Sequence, residues 1–233
     1  MEGKIKSEGK CLFCDKIFAK AGINRHLKTH LDKKQNAAGL SYLVKVEQNP
    51  RWGKSPHFLS LWIDGETPLK KIDKFLRDIW LECCGHLSAF RNPDARMPYE
   101  DDDIPMSRKV NRIFHPDLKL EYEYDFGSST ELVLTVIAEY PIKADAKIVL
   151  LSRNEPPECY CQTCKKEAAT QMCSVHDYDE DSMFCDKCAK KHAKVCEDFA
   201  DYSSMPIVNS PRAGVCAYSG GIIDTERDGI FKK

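Results

Sequence analysis

The chain has no long apolar run and almost no net charge. No stretch of its 233 residues approaches the roughly 18 consecutive apolar residues of a membrane-spanning helix. Its N-terminus also lacks the apolar segment and cleavage site of a secretory signal. The formal net charge of −1 argues against strong binding of polyanions by the protein as a whole. These absences predict a cytoplasmic protein that does not contact a membrane.

The small net charge conceals a basic N-terminal segment. Residues 1–35 carry nine Lys/Arg and four Asp/Glu, whereas residues 36–155 and 156–233 each carry three more acidic than basic side chains. If any part of the chain touches nucleic-acid phosphates, residues 1–35 are therefore the first candidate.

Cysteine, in contrast, is abundant. Eight of the twelve cysteines fall at spacings typical of metal ligands, and the remaining ones are Cys83, Cys84, Cys159 and Cys216. In a chain without a secretory signal, such spacings indicate metal binding in a reducing compartment. A disulfide framework is the alternative interpretation.

The first metal pattern lies near the N-terminus and consists of Cys11, Cys14, His26 and His30. A short hairpin would present the two cysteines, and a helix would present the two histidines four residues apart on one face. Segments below about 40 residues rarely fold without a metal or another staple, so zinc would be part of the folding energy here. The pattern resembles the two-Cys, two-His zinc-finger family, with a middle spacer one residue shorter than usual.

The predicted finger has little with which to read a base sequence. The resemblance places Ala19, Ala21, Gly22 and Arg25 at the base-reading positions, and only Arg25 could make a bidentate contact with guanine. Non-specific contact with phosphates is expected through basic side chains, for which the candidates are Lys16, Lys20, Arg25 and Lys28. A protein-contact module with a solvated lysine face is the equal alternative.

Four evenly spaced ligand pairs occupy the last third of the chain: Cys161/Cys164, Cys173/His176, Cys185/Cys188 and His192/Cys196. Eight ligands predict two closed tetrahedral zinc sites, which brings the expected total to three zinc ions. The pairs could be used sequentially or interleaved. We favour interleaving, because the eight-residue spacers can carry the chain out and back. Cys159 could replace Cys161, and Cys216 could complete a site if the module is less regular.

The middle of the chain has the pattern of an α+β domain. Strands are predicted at residues 41–48, 57–64, 86–91 and 147–153, with a hairpin over residues 118–140 whose buried face includes Phe126. Thr67 as N-cap and Gly85 as stop predict one helix between them. We expect a central antiparallel sheet covered by this helix and flanked by small zinc-stabilised modules. The expected divisions are a finger at 1–35, the α+β domain at 36–155, a two-zinc module at 156–200, and a tail at 201–233 that packs on the core.

Three segments carry a resemblance to a known family. They are WIDGETPLKKIDKFLRDIWLECCGHLSAF, YEYDFGSS and NSPRAGVCAYSG, and together they resemble the plasmid pRiA4b ORF-3-like family, which is also described as a passenger of a mobile insertion element. The resemblance covers roughly residues 40–220 and implies a fold rather than an activity. Many members follow the YDFG motif with Asp, Trp, Glu and His, whereas this chain continues with Ser128, Ser129, Thr130 and Glu131. A site built on those family positions would be largely missing here.

Three functions are compatible with these patterns. The first is a zinc-stabilised binding or adaptor protein of a mobile-element-associated family, whose basic finger contacts nucleic acid non-specifically. The second is a hydrolase or transferase of unknown class with a pocket near His86, Tyr99 and Tyr124. Cys83-Cys84 beside His86 could supply a nucleophile, but no orienting third group is visible, and the acidic residues 100–103 have the pattern of a solvated loop. The third is a protein–protein interaction module without nucleic acid. The sequence does not indicate an oligomeric state.

Overall fold

The computed structural model describes residues 7–92, 103–176 and 182–229. The chain divides into two compact units, of which the first comprises Met1–Leu76 with His86–Glu155 and the second comprises Arg77–Gly85 with Pro156–Lys233. The predicted finger and the predicted α+β domain thus belong to one unit. Within the described residues, no helix has both the length and the apolarity to cross a membrane.

The first unit is built around a six-stranded antiparallel sheet, as predicted for the α+β class. In chain order its described elements are β1 (Glu8–Lys10), β2 (Ile17–Ala19), α1 (Lys20–Leu31), β3 (Ala38–Gln48), β4 (Phe58–Asp64), α2 (Leu69–Leu76), β5 (Ser88–Arg91), β6 (Lys119–Tyr124), β7 (Thr130–Ile142) and β8 (Ile148–Arg153). The strand order is β5-β6-β7-β3-β4-β8, and β1 pairs with β2 in a separate hairpin. Short 3-10 turns occur at Pro50–Trp52 and Val110–Arg112.

One face of the sheet is covered by the finger helix α1. Ile23, Leu27 and Leu31 of that helix are fully or almost fully buried against Leu43 of β3 and Trp62 of β4. These helix residues are spaced four apart and therefore share one face. The finger is thus packed against the sheet through its own apolar stripe.

The opposite face of the sheet is covered by α2. The strand register places Tyr122 opposite Leu132, on the face away from Trp62, and the Tyr122 hydroxyl donates to Asp73 of α2 at 2.8 Å. The hydroxyl of Ser88 donates to the same carboxylate at 2.6 Å. A sheet covered on both faces accounts for the seven consecutive buried residues of β4.

The helix predicted between Thr67 and Gly85 is shorter than expected. The α-helix ends at Leu76, and Arg77–Leu81 continue as a π-helical turn. Thr67 does not act as a cap in the expected way, because its hydroxyl donates to the carbonyl of Lys147 at 2.9 Å. Phe126 was predicted to lie on the buried face of the hairpin, but β6 ends at Tyr124 and the Phe126 side chain is 47% exposed.

The finger hairpin is joined to the sheet edge by backbone hydrogen bonds. Gly9 of β1 forms an antiparallel bridge with Asn154, just after β8, and the amide of Leu12 donates to the carbonyl of Leu151 at 2.9 Å. A Cβ atom on Gly9 would lie 2.6 Å from the Phe58 ring and 2.7 Å from the carbonyl oxygen of Arg153. Glycine is therefore required by the close approach of the two backbones.

The second unit has little regular structure. Its described strands are β9 (Gln171–Cys173), β10 (Met183–Phe184) and β11 (Ser204–Pro206), in the order β10-β9-β11. Its one described α-helix is α3 (Asp186–His192). The tail packs on the Arg77–Gly85 segment, where the amide of Ile222 donates to the carbonyl of Asp78 at 2.7 Å. Elements this short contribute little buried area, so other interactions must hold the unit together.

Two glycines of the finger allow a matched test of its docking. Gly9→Ala should lower the free energy of unfolding by about 1–3 kcal/mol, because the new methyl group overpacks the hairpin against the sheet. Gly22→Ala should raise it by about 0.5–1 kcal/mol, because a Cβ there meets nothing within 4 Å and alanine favours the helix. Urea unfolding of the metal-loaded protein, followed by circular dichroism, measures both changes. Equal effects of the two substitutions would contradict this packing.

Candidate metal centres

The described residues contain four clusters of four cysteine or histidine side chains. In each cluster all ligand atoms lie within 4.8 Å of one another, so each could hold one metal ion. The clusters are Cys11/Cys14/His26/His30, Cys161/Cys164/Cys185/Cys188, Cys173/His176/His192/Cys196 and Cys83/Cys84/His86/Cys216. The structure therefore brings together all twelve predicted ligands, and it adds a set that the sequence spacing did not reveal.

The finger cluster has the separations of a tetrahedral site. The Sγ atom of Cys14 lies 3.3 Å from Nε2 of His26, and Nε2 of His30 lies 3.1 Å from the same atom. In a tetrahedral site with zinc–ligand bonds of the usual length, the edges of the tetrahedron are the separations between pairs of ligand atoms. These edges are about 3.6 Å between sulfur and nitrogen and about 3.3 Å between two nitrogens. Both observed separations are close to these edges.

Aromatic rings hold the two histidines of the finger in place. The ring of Phe18 stacks on His26 with centroids 4.0 Å apart, and Phe13 contacts His30 at 5.1 Å. Burial and the neighbouring His30 and Lys16 lower the pKa of His26. The neutral imidazole is therefore favoured, and it is the form that binds a metal.

Two of the three Cys-x2-Cys segments, Cys11/Cys14 and Cys161/Cys164, form turns with the same backbone conformation. Asp15 follows Cys14 with φ 59°, and Lys165 follows Cys164 with φ 55°. In both turns the amide of this left-handed residue donates to the carbonyl of the first cysteine at 2.8 Å. Left-handed backbone is unfavourable for residues other than glycine, so its presence in both turns indicates that the placement of the sulfurs determines the local conformation.

The four-cysteine cluster combines the first and the third of the four ligand pairs. Cys161 and Cys164 join Cys185 and Cys188, and the Sγ atoms of Cys164 and Cys185 are 3.9 Å apart. This is close to the sulfur–sulfur edge of about 3.8 Å expected around zinc. The structure thus groups the first pair with the third, and Cys159 does not replace Cys161.

The thiols of this cluster have opposed pKa values. Backbone N–H groups of Glu167 and Lys166 stabilise the thiolate of Cys164 and lower its pKa to about 6. Burial and the neighbouring Cys161 and Cys185 raise the pKa of Cys188 to about 12. Four thiolates cannot all be charged at this distance without a cation among them, because like charges raise each other's pKa. A divalent metal would supply that cation.

The third cluster combines two cysteines with two histidines. Nδ1 of His176 lies 3.2 Å from the Sγ atom of Cys173 and 4.0 Å from that of Cys196. Burial acts to raise the pKa of Cys173, but hydrogen bonds from Ser203, His176 and His192 outweigh it and lower the pKa to about 6.

Its fourth ligand, His192, supports the presence of a metal. The Nε2 atom of His192 is buried and has no hydrogen-bond partner among the described residues, while the ring stacks on Phe184 with centroids 4.3 Å apart. A buried polar atom without a partner is costly. Coordination of a metal by this nitrogen would remove that cost.

The fourth cluster was missed because its ligands are far apart in sequence. Cys83, Cys84 and His86 lie within four residues, but Cys216 follows more than a hundred residues later. Ligand motifs are recognised by two short spacings, and here only one is present. The local signal is a pair of adjacent cysteines followed by a histidine, and the same pattern is compatible with a nucleophile.

The predicted phosphate contacts divide into two groups. Lys16, Arg25 and Lys28 are exposed, and among the described residues no acidic side chain pairs with them. Lys20 differs, because its ammonium lies 2.8 Å from Glu47 and donates to the carbonyl of Ser55 at 3.0 Å. Lys20 is thus committed to contacts within the first unit and is a poor candidate for binding a phosphate.

The residues of the predicted enzymatic pocket do not form an open site in the described structure. Tyr124 is fully buried and contacts His86 edge to face, with centroids 5.7 Å apart. Tyr99 and the acidic residues 100–102 lie outside the described residues. Asp103 is described, and its carboxylate accepts a hydrogen bond from Arg91 at 2.8 Å.

Comparisons with known proteins identify no function. No protein-family model and no curated protein matches the chain. One solved structure with a similar arrangement is the crystal structure of MM3350, a protein of unknown function from Methanosarcina mazei Go1. It is 17% identical, the match covers 50% of this chain and 68% of that one, and the TM-score is 0.39.

Cys159 and Cys161 provide a matched test of the four-cysteine cluster. Cys161→Ala should remove at least one metal ion per chain, because it deletes a ligand of that cluster. Cys159→Ala should remove none, because Cys159 lies two residues away and belongs to no cluster. Elemental analysis of the purified variants, with protein concentration from amino-acid analysis, gives both ratios. Loss of metal from Cys159→Ala alone would show that the ligand set is assigned wrongly.

Proposed function

We propose that this protein is a zinc-stabilised binding protein whose finger contacts nucleic acid without sequence selectivity. The main support for this proposal is that each predicted metal site has all four of its protein ligands close together. The finger cluster and the two interleaved clusters each provide four soft or borderline ligands within 4.8 Å. Sulfur and imidazole in a tetrahedral set favour zinc. A site with four protein ligands leaves no position for a reacting water, so its role is structural.

The proposed binding surface consists of the exposed face of α1 and the loop between β1 and β2. The other face of this helix is occupied, since Ile23, Leu27 and Leu31 pack on the sheet. Arg25 and Lys28 lie on the outer face of α1, and Lys16 lies in the loop between β1 and β2. Their charges have no acidic partner among the described residues, which leaves them available for phosphate oxygens.

The same surface supports non-specific contact. The side chains at Ala19, Ala21 and Gly22 offer no hydrogen bonds to a base edge, which leaves Arg25 as the sole reader. Phosphate contacts position a protein on nucleic acid but do not read its sequence. Binding that depends on charge and is indifferent to sequence is therefore the expected behaviour.

The enzymatic alternative has less support from the structure than the binding function. The buried Tyr124 and its edge-to-face contact with His86 are features of a packed interior. A protein partner on the same exposed face is the remaining alternative, and the binding experiment separates it from nucleic acid. The resemblance to the pRiA4b ORF-3-like family is compatible with each of these roles, because it implies no activity.

The triple variant Lys16→Ala/Arg25→Ala/Lys28→Ala should weaken binding to a mixed-sequence duplex and reduce its dependence on salt. The plot of log K against log salt concentration has a negative slope, and loss of three phosphate contacts should reduce the magnitude of that slope by about 3. Fluorescence anisotropy of the labelled duplex between about 50 and 200 mM salt measures the slope.

The control is Lys70→Ala/Lys71→Ala/Arg108→Ala. These side chains are also exposed, include the same number of lysines and arginines, and lie on or beside α2, on the opposite face of the sheet. The control should bind like the unmodified protein. Equal weakening by both variants would show that only net charge matters. No binding by the unmodified protein, even at low salt, would favour the protein partner.

A further inference from the structure

We propose that Cys83, Cys84, His86 and Cys216 bind a fourth zinc ion. Their ligand atoms lie within 4.8 Å of one another, as they do in the other clusters. This inference adds an ion to the three that the sequence spacing predicts, and it does not depend on what the finger binds.

Three of the four ligands come from one tight turn. The turn follows the π-helical segment Arg77–Leu81, and it is closed by the amide of Gly85, which donates to the carboxylate of Glu82 at 2.6 Å. Gly85 has φ 75°, a conformation that glycine adopts without cost. The chain therefore reverses between Cys84 and His86, so that all three ligands can face one point.

The fourth ligand is delivered by a loop fixed to the same segment. The hydroxyl of Ser210 donates to the carbonyl of Trp80 at 2.6 Å and accepts from the amide of Arg212 at 2.9 Å. The amide of Val215 donates to the carbonyl of Arg212 at 3.2 Å. These bonds place Cys216 beside the cysteine pair independently of any contact that the sulfur itself makes.

Arg212 places a positive charge beside two of the sulfurs. Its side chain is fully buried, and one terminal nitrogen of its guanidinium donates to Sγ of Cys83 at 3.6 Å and to Sγ of Cys216 at 3.5 Å. A neutral thiol is a weak acceptor, and a buried cation is costly unless an anion lies beside it. Zinc bound by three thiolates and one imidazole has a net charge of one negative unit, which the guanidinium would neutralise.

The backbone at Cys216 gives a second, independent indication. Cys216 and Ala217 both have φ 50°, and two successive left-handed residues without glycine are unfavourable. Such strain persists only where surrounding contacts impose it. The left-handed residues Asp15 and Lys165 of the other clusters also adjoin ligands, so this strain accompanies ligand placement elsewhere in the chain.

His86 is oriented as a metal ligand would be. Its Nδ1 atom lies 3.5 Å from the carboxylate of Asp125, whose other contacts include the amide of Gly127 at 3.1 Å. A carboxylate beside one ring nitrogen fixes the tautomer and leaves the other nitrogen for a metal. This assigns Nε2 as the metal-binding atom of His86.

The test is the zinc content of the full chain, purified under reducing conditions and loaded with zinc alone. Native mass spectrometry of the unmodified protein should show four zinc ions per chain. Cys216→Ala and Cys84→Ala should each show three, and because both side chains are exposed, these variants should keep the circular dichroism spectrum of the parent. Cys159→Ala, which removes a cysteine outside every cluster, should keep four.

Cobalt substitution provides the second measurement. The thiolate-to-cobalt charge-transfer band grows with the number of cobalt–sulfur bonds, so Cys216→Ala should reduce it and Cys159→Ala should not. The proposal is overturned if the unmodified protein holds three zinc ions and Cys216→Ala leaves that number unchanged. It is equally overturned if the purified protein has a mass lower by two hydrogens that maps to a disulfide among Cys83, Cys84 and Cys216. Neither result would bear on nucleic-acid binding by the finger.

Discussion

The crowding of sulfur and imidazole ligands is the constraint on which the rest of this structure depends. The ligand atoms of each cluster lie within 4.8 Å of one another, and cysteines this close cannot all be thiolates unless a cation lies among them, because each thiolate raises the pKa of its neighbours. The second unit illustrates how strongly stability can depend on metal binding. Its strands are two or three residues long and α3 has seven, so buried apolar area alone is a weak source of stability. Ligand binding would then be folding free energy, as in other small metal-stabilised modules.

The finger differs from the second unit in its source of stability, because it also packs against the six-stranded sheet. Its helix places Ile23, Leu27 and Leu31 on the sheet, and its hairpin extends the sheet edge through Gly9. A finger held in this way presents one fixed surface instead of swinging on a linker. Packing also makes one basic side chain of the finger unavailable for binding, since Lys20 forms an ion pair with Glu47. The remaining basic side chains are those that neither packing nor ion pairing uses, and this is why they define the proposed binding surface.

The sequence predicted those features that arise from short-range spacing. Alternating residues such as Leu120 and Tyr122 indicated a sheet with a buried face, and closely spaced ligand pairs indicated metal sites whose partners the structure then brought together. Features that depend on distant contacts were not predictable. The break after Leu76 and the hydrogen bond of Thr67 to Lys147 reflect tertiary packing that overrides helix signals. The position of Cys216 beside Cys83 depends on a loop anchored to Trp80, which no local pattern encodes.

Cys159 shows that the clusters are not simply a result of abundant cysteine. Eleven of the twelve cysteines belong to a cluster, and Cys159 does not. Burial raises the pKa of its thiol. Cys164 lies only five residues from Cys159, yet backbone N–H groups lower its pKa to about 6. Backbone N–H groups thus point at the sulfur of the clustered Cys164, whereas burial is what acts on the partly buried Cys159. For these two cysteines, the surroundings distinguish the clustered residue from the other one, although both lie in the same short segment.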